Sequence, residues 1–171
     1  MTIPLPSHTH SAPAVPRILS LPCGPWRLGV AYAWACTVVK ASALAKVPCA
    51  PPWVLGMANW EGEIVPVVDV ACWLGLPSEG AVHRHWLVGG DEGARLALSW
   101  AGRPASWVWA ATSRDPGLLS ALPAALQPLV QAAWRDEAGQ GWAVLDGARL
   151  FEVLHTELTL FCALPGTVLR S

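Results

Sequence analysis

Three carboxylates stand close together in an otherwise apolar stretch: Glu61, Glu63 and Asp69 in NWEGEIVPVVDV. General acid–base work needs two carboxylates facing one pocket. On a single strand Glu61 and Glu63 would share a face, but across a turn they would not. Glu61-Gly62 is the kind of pair a tight hairpin turn uses where φ must be positive. The spacing therefore reads as solvated turn charges plus a helix cap, not as a catalytic pair. His83-x-His85 and His8-x-His10 lack a Cys or carboxylate at ligand spacing, so they read as surface histidines. Cysteines 23, 36, 49, 72 and 162 form no C-x-x-C pair. An odd, dispersed set fits free thiols in a reducing cytosol. No Ser-His-Asp order, glycine-rich phosphate loop or metal quartet is present. The chain is read as non-enzymatic, with no catalytic residue, cofactor or metal.

Composition narrows the class further. The 171 residues are 53% hydrophobic and 13% charged, with 11 Trp and net charge −1. Charged residues average roughly a quarter of a globular chain. So sparse a charge favours apolar surface shared with partners, or a codon bias toward Ala, Gly, Pro, Trp and Arg. The scattered arginines give no footprint for nucleic acid, which needs clustered Lys and Arg. The apolar run from Leu28 to Val39 is far shorter than the ~20 residues that span a bilayer. No basic segment precedes it, and Pro4, Pro6, Pro13, Pro16, Pro22 and Pro25 interrupt any apolar helix. It reads as a core strand of a cytoplasmic protein without membrane insertion.

The elements that position these residues are short strands. Residues 1–16 read as a flexible tail, 17–160 as the domain and 161–171 as a C-terminal tail. RILSL (Arg17 to Leu21) and Trp26 to Ala33 are strands about a Pro-Cys-Gly-Pro turn, with Leu28, Val30 and Tyr32 on one face. Trp34 to Lys40 reads as a turn leading into a strand. Pro48, Pro51 and Pro52 are expected to hold the next segment extended. A hairpin follows, from Trp53 to Asn59 and from Ile64 to Val68. Pro66 there requires an edge or bulge, and Asp69 caps a short helix from Val70. His85 to Val88, Arg95 to Trp100 and Ser106 to Ala110 are further strands, while Thr112 to Pro128 reads as mostly loop. Leu129 to Trp134 and Gly141 to Leu145 pair around DEAGQ. Asp146 caps a helix through Leu150, Phe151 and Leu154. This strand–turn–strand–Asp–helix unit repeats the earlier one, suggesting two related small barrels rather than a βαβ fold.

The stretch around the first hairpin resembles the CheW-like family of chemotaxis coupling proteins. The family pattern is a proline-containing lead-in, then G-x-x-N-x-R-G, then I-x-P-x-x-D-L and a short helix. Here Pro48-Cys49-Ala50-Pro51, Gly56-Met57-Ala58-Asn59-Trp60-Glu61-Gly62 and Ile64-Val65-Pro66-Val67-Val68-Asp69-Val70 stand in that order and spacing. Leu28-Gly29-Val30 and Val144-Leu145-Asp146 extend the likeness from about Arg17 to about Leu158. Gly56, Gly62, Pro66, Asp69 and Asp146 carry it as structural positions.

The resemblance implies a mainly β fold of two small SH3-like five-stranded β-barrel subdomains, interleaved, with short helices. It also implies an adaptor that couples a CheA-type histidine kinase to the cytoplasmic tip of methyl-accepting chemoreceptors, for flagellar chemotaxis or type IV pilus twitching. Such a protein is cytoplasmic and recruited to membrane receptor arrays. The family's helical receptor tip docks in an apolar groove between the subdomains. Partner contacts are then expected at Ala35, Thr37, Val38, Val39, Asn59 and Glu61. Glu61 replaces the family's Arg, which calls for a partner adapted to the reversed charge or for loss of that contact. Ala35 to Val39 is apolar where the family is charged, and Leu96-Ala97-Leu98-Ser99-Trp100 replaces an aliphatic-V-D run. The alternative is a stand-alone ligand-binding or protein-interaction β-barrel without kinase coupling. Trp53, Trp60 and Trp73 flank the hairpin and are the first tryptophans to test as binding residues.

Overall fold

The computed structural model describes residues 17–31, 35–77, 84–102, 104–108 and 114–163. Ten strands alternate with three helices: β1 (Arg17–Cys23), β2 (Trp26–Ala31), β3 (Ala35–Lys40), β4 (Val54–Trp60), β5 (Glu63–Asp69), α1 (Val70–Trp73), β6 (Arg84–Gly89), β7 (Leu96–Ala101), β8 (Ala105–Val108), α2 (Pro116–Ala121), β9 (Val130–Arg135), β10 (Gly141–Leu145) and α3 (Gly147–Ala163). They build two five-stranded sheets, β8-β1-β2-β10-β9 and β3-β6-β7-β5-β4.

The two sheets share one wiring scheme. In each, an end strand pairs antiparallel with the first strand of a hairpin (β8 with β1, β3 with β6). That hairpin's second strand runs parallel to a strand of the next hairpin (β2 with β10, β7 with β5). Each sheet is also closed across its ends by one bridge from the segment after its first end strand: Ala45 to Met57, and Arg114 to Ala133. The chain enters the two units at different points. The second sheet uses consecutive strands, whereas the first combines the N-terminal hairpin with β8, β9 and β10. The chain therefore leaves the first sheet after β2 and returns to it at β8.

The hydrophobic pattern accounts for the join. The main core takes Leu19, Leu21, Leu28 and Val30 from the first sheet and Val68, Leu87, Leu98 and Trp100 from the second. Leu118 of α2 and Leu150 and Leu154 of α3 complete it. Apolar burial at about 25 cal/mol per Å² thus stabilises the packing of the two sheets on each other. A second cluster of Ala58, Val65, Val67, Trp86, Val88 and Ala97 fills the inside of the second sheet. A third, with Ile18, Ala132 and Val144, lies on the other face of the first sheet. There Trp142 stacks with Trp134 and meets Trp107 edge-on.

Several boundaries differ from the sequence-based reading. The segment at Pro48 to Pro52 is not extended. It turns twice, and Cys49 takes φ 58. Proline restricts φ but is equally at home in a turn. Thr112 to Pro128 is not mostly loop in its described part. Asp115 caps α2 by accepting from the Gly117 and Leu118 amides, with Pro116 at the first helical position. A 3-10 turn follows at Gln127–Leu129. The last helix runs past Leu154 to Ala163, so the expected domain end at residue 160 falls inside it. Tyr32, Trp34, the Ser78 to His83 loop and the two tails, apart from residues 161–163, lie outside the described residues.

Candidate functional site

The β4–β5 hairpin is the base of the site. Glu61 and Gly62 both have positive φ, 51 and 88, as a two-residue primed turn requires. The Gly62 amide donates to Asn59 Oδ1 at 3.0 Å, which fixes the turn from below. Glu63 is not a catalytic partner for Glu61. It pairs with Arg95 at 2.6 Å and accepts from the Gly93 amide at 3.0 Å, tying the hairpin to the β6–β7 loop. Arg95 lies over the Trp60 ring, 4.8 Å from its centroid. Asp69 is buried and accepts from the Cys72 amide at 3.2 Å, as expected of the α1 cap. Burial, with the nearby Asp69 charge second, pushes the Cys23 thiol up to about 12. That thiol is an inert core group, not a nucleophile.

Gly56 sets the depth of the hairpin. Its φ is +144, and a Cβ there would stand 2.5 Å from the Ala45 carbonyl oxygen. Only glycine lets the segment after β3 close onto β4, where Ala45 and Met57 exchange two backbone hydrogen bonds of 2.8 and 2.9 Å. Pro66 is on an interior strand, but the pairing of β5 with β7 begins one residue later, at Val67. Pro66 therefore has a local edge on that side, which is where a missing N–H costs nothing.

Strand alternation then defines an outward face. Met57 pairs with Pro66 and Asn59 with Ile64, while Ala58 and Val65 point into the second cluster. Against this face lies α3. Val47, Ala50, Pro51, Val54, Met57, Pro66, His155, Leu158, Thr159 and Phe161 line an apolar cavity of about 310 Å³. An open extension is walled by Pro51, Trp53, Glu157, Leu160 and Phe161. Trp73 Nε1 donates to Glu157 Oε2 at 2.8 Å, pinning α3 to α1 and setting the groove's width. Leu160, on the wall of the extension, is 63% exposed, and Ile64 of β5 is 61% exposed.

The expected partner contacts divide into two sets. Asn59 and Glu61 are exposed at the turn end of the hairpin and are not among the residues that line the groove. Ala35, Thr37, Val38 and Val39 lie on β3, at the opposite end of the sheet order, and none of them lines the groove. Val38 packs against the main core and Val39 against the second cluster. Trp53 and Trp73 also rest on the main core, and Trp60 on the second cluster. The groove residues of α3 (His155, Leu158, Thr159 and Phe161) lie beyond Leu154, the last residue of the stripe read from the sequence; their signal was the apolar Leu158 and Phe161 continuing that helix. His85 Nδ1 lies 3.0 Å from the Gly102 carbonyl oxygen, and no group of three metal-ligating side chains occurs among the described residues.

Two five-stranded sheets, with an apolar groove between α3 and the outer face of the second sheet, form a scaffold with an open binding surface. The CheW-like domain profile matches residues 17–155, and the chain belongs to the CheW-like family. It is accordingly a non-enzymatic scaffold or adaptor of chemotaxis signalling. Among solved structures it is similar to the scaffolding protein TtCheW from Thermoanaerobacter tengcongensis. The likeness has 17% identity and a TM-score of 0.68, covering 82% of this chain and 90% of that one. No curated protein matches the sequence. No helix among the described residues is long and apolar enough to cross a membrane.

Proposed function

We propose that this chain couples a CheA-type histidine kinase to the helical cytoplasmic tips of chemoreceptors, in a flagellar or pilus-based system. The observation that carries the reading is the groove between α3 and the outer face of the β4–β5 hairpin. Its lining is mostly apolar, and the Trp73–Glu157 hydrogen bond and the Ala45–Met57 bridge hold the elements that wall it. An apolar helix face laid into a groove is a recurring recognition mode. Asn59 and Glu61 extend the contact at the hairpin tip, with Glu61 selecting a basic group on the partner. Strand β3, with Ala35 and Thr37, is the surface proposed for the kinase, and Val38 and Val39 support that strand from the main core and the second cluster. Work at this surface takes place in the cytoplasm, at receptor arrays.

The test is a pull-down of the purified chain with the kinase and a chemoreceptor fragment of its own organism. Retention of both, with loss of the receptor alone on Met57→Glu, supports the reading. Failure to retain any such kinase or receptor refutes it. The groove's volume of about 310 Å³ and apolar lining favour a second reading, a stand-alone module for a small apolar ligand. Strong thermal shifts by small molecules, with no kinase or receptor retained, would establish that one instead.

A further inference from the structure

Helix α3 carries the chain along one wall of the groove and leaves it at the rim. Leu158 and Phe161 line the groove, Leu160 walls its extension, and the helix runs to Ala163. The residues that follow, 164–171, read LPGTVLRS. Pro165 cannot continue a helix and Gly166 suits a turn. Two features of the groove match this segment. Its lining is apolar at Val47, Val54, Met57, Pro66 and Leu158, and Thr167-Val168-Leu169 is an apolar run. Glu157 is the one Asp, Glu, Lys or Arg in the described walls, and Arg170 is the one charged side chain of the segment. The Trp73 indole donates to Glu157 Oε2 and so holds the carboxylate at the extension, where no Lys or Arg pairs with it among the described residues.

We propose that residues 164–171 double back along α3 and occupy the groove, with Thr167-Val168-Leu169 on the apolar lining and Arg170 on Glu157. The length of chain allows it. Glu157 stands six residues before Ala163, about 9 Å back along the helix axis. Arg170 stands seven residues after Ala163, and seven residues reach up to about 23 Å when extended. A turn at Pro165-Gly166 therefore leaves enough chain to return to Glu157. Tethering makes so short a segment an effective occupant, because a short link holds it at an effective concentration on the order of millimolar. Covering the lining takes its apolar surface out of water, which supplies the affinity. The ion pair is open to solvent and chiefly sets the register. On the reading that a chemoreceptor tip docks in this groove, the segment is a built-in competitor. A groove covered about nine-tenths of the time lowers a partner's apparent affinity about tenfold.

The test compares NMR spectra of the intact isotope-labelled chain and its Val168→Asp variant. The substitution is expected to shift the amide and methyl signals of Val54, Met57 and Leu158 and to leave Ala132 and Trp134, in the first sheet, unmoved. Val54 and Met57 are remote from Val168 in sequence, so contact is what carries the effect. Unmoved groove signals overturn the proposal, and so does movement that includes Ala132 and Trp134, which marks a general change in the fold. Groove shifts that fade on dilution of the wild type assign the groove to a second copy's segment and overturn the internal one. Arg170→Gln tests the ion pair, and Glu157→Gln keeps an acceptor for the Trp73 indole. Arg170→Gln is expected to move the groove signals in the wild type and not in a Glu157→Gln background; equal movement in both overturns the pairing of Arg170 with Glu157. A chemoreceptor-tip fragment is expected to bind Val168→Asp about tenfold more tightly than the wild type. Equal binding to both overturns the competition. Groove signals that move in Val168→Asp while neither form binds the fragment uphold the segment and overturn the docking reading.

Discussion

Replacing Gly56 by alanine tests how the hairpin and the groove wall are joined. The new Cβ would stand 2.5 Å from the Ala45 carbonyl oxygen, and φ +144 is strained for any residue with a side chain. The strain costs about 1–2 kcal/mol. Relieving the clash moves Ala45 away and breaks its two hydrogen bonds with Met57, each of about 1 kcal/mol net. The sum is about 3 kcal/mol, which for a chain of this size lowers Tm by roughly 6–12 °C. Gly62→Ala is the control. Its φ is +88, but nothing lies within 4 Å of the added atom, so only strain of about 1 kcal/mol and a Tm loss of about 2–4 °C are expected. Thermal unfolding followed by circular dichroism measures both. Equal melting of the two variants would show that the Ala45 contact does not constrain the hairpin. Val47, two residues from Ala45, lines the groove, so Gly56→Ala should weaken retention of the chemoreceptor fragment in the pull-down more than Gly62→Ala does.

Other substitutions follow from the same geometry. Asp115→Ala removes the cap of α2 and should cost about 1 kcal/mol in a denaturant titration. Val38→Asp places a carboxylate against the main core, so it should lower stability by several kcal/mol and not act as a clean binding mutation; an unchanged Tm would show that β3 faces outward. Cys23, with its thiol pushed up to about 12, should resist a thiol reagent at pH 8 until the chain unfolds, while exposed Cys49 reacts at once. Because the folded thiol titrates above its unfolded value of 9.0, its stabilising contribution is complete below pH 9. It is lost as pH rises from 9 toward 12, and Cys23→Ala should flatten that alkaline loss.

The hairpin was legible because its signals are local. Glu61-Gly62 demands positive φ, Asp69 demands a helix start, and alternation separates Ala58 and Val65 from Met57 and Pro66. The repeated strand–turn–strand–Asp–helix unit was legible for the same reason. Asp115-Pro116 carried as clear a helix start, hidden among prolines and leucines that lack a clean period. The shared wiring of the two sheets was not readable, since it depends on parallel pairs between residues far apart, such as Leu28 with Ala143. Nor was the inward direction of Val38. An apolar strand at a sheet's end looks the same in sequence whether it meets a partner or a core. The α3 wall was missed because the helix was read only through Leu154, about two and a half turns short of its end at Ala163, and Leu158 and Phe161 of the wall lie in that last part.

The most direct measurement is a map of the bound surface. With the isotope-labelled chain, a chemoreceptor-tip fragment from its own organism is titrated and amide and methyl NMR shifts are followed. The groove account predicts saturable shifts at Val54, Met57, Asn59, Ile64, Leu158 and Phe161, and none on the far face at Ala132 and Trp134. Shifts confined to that far face, or no shifts at all, would contradict it.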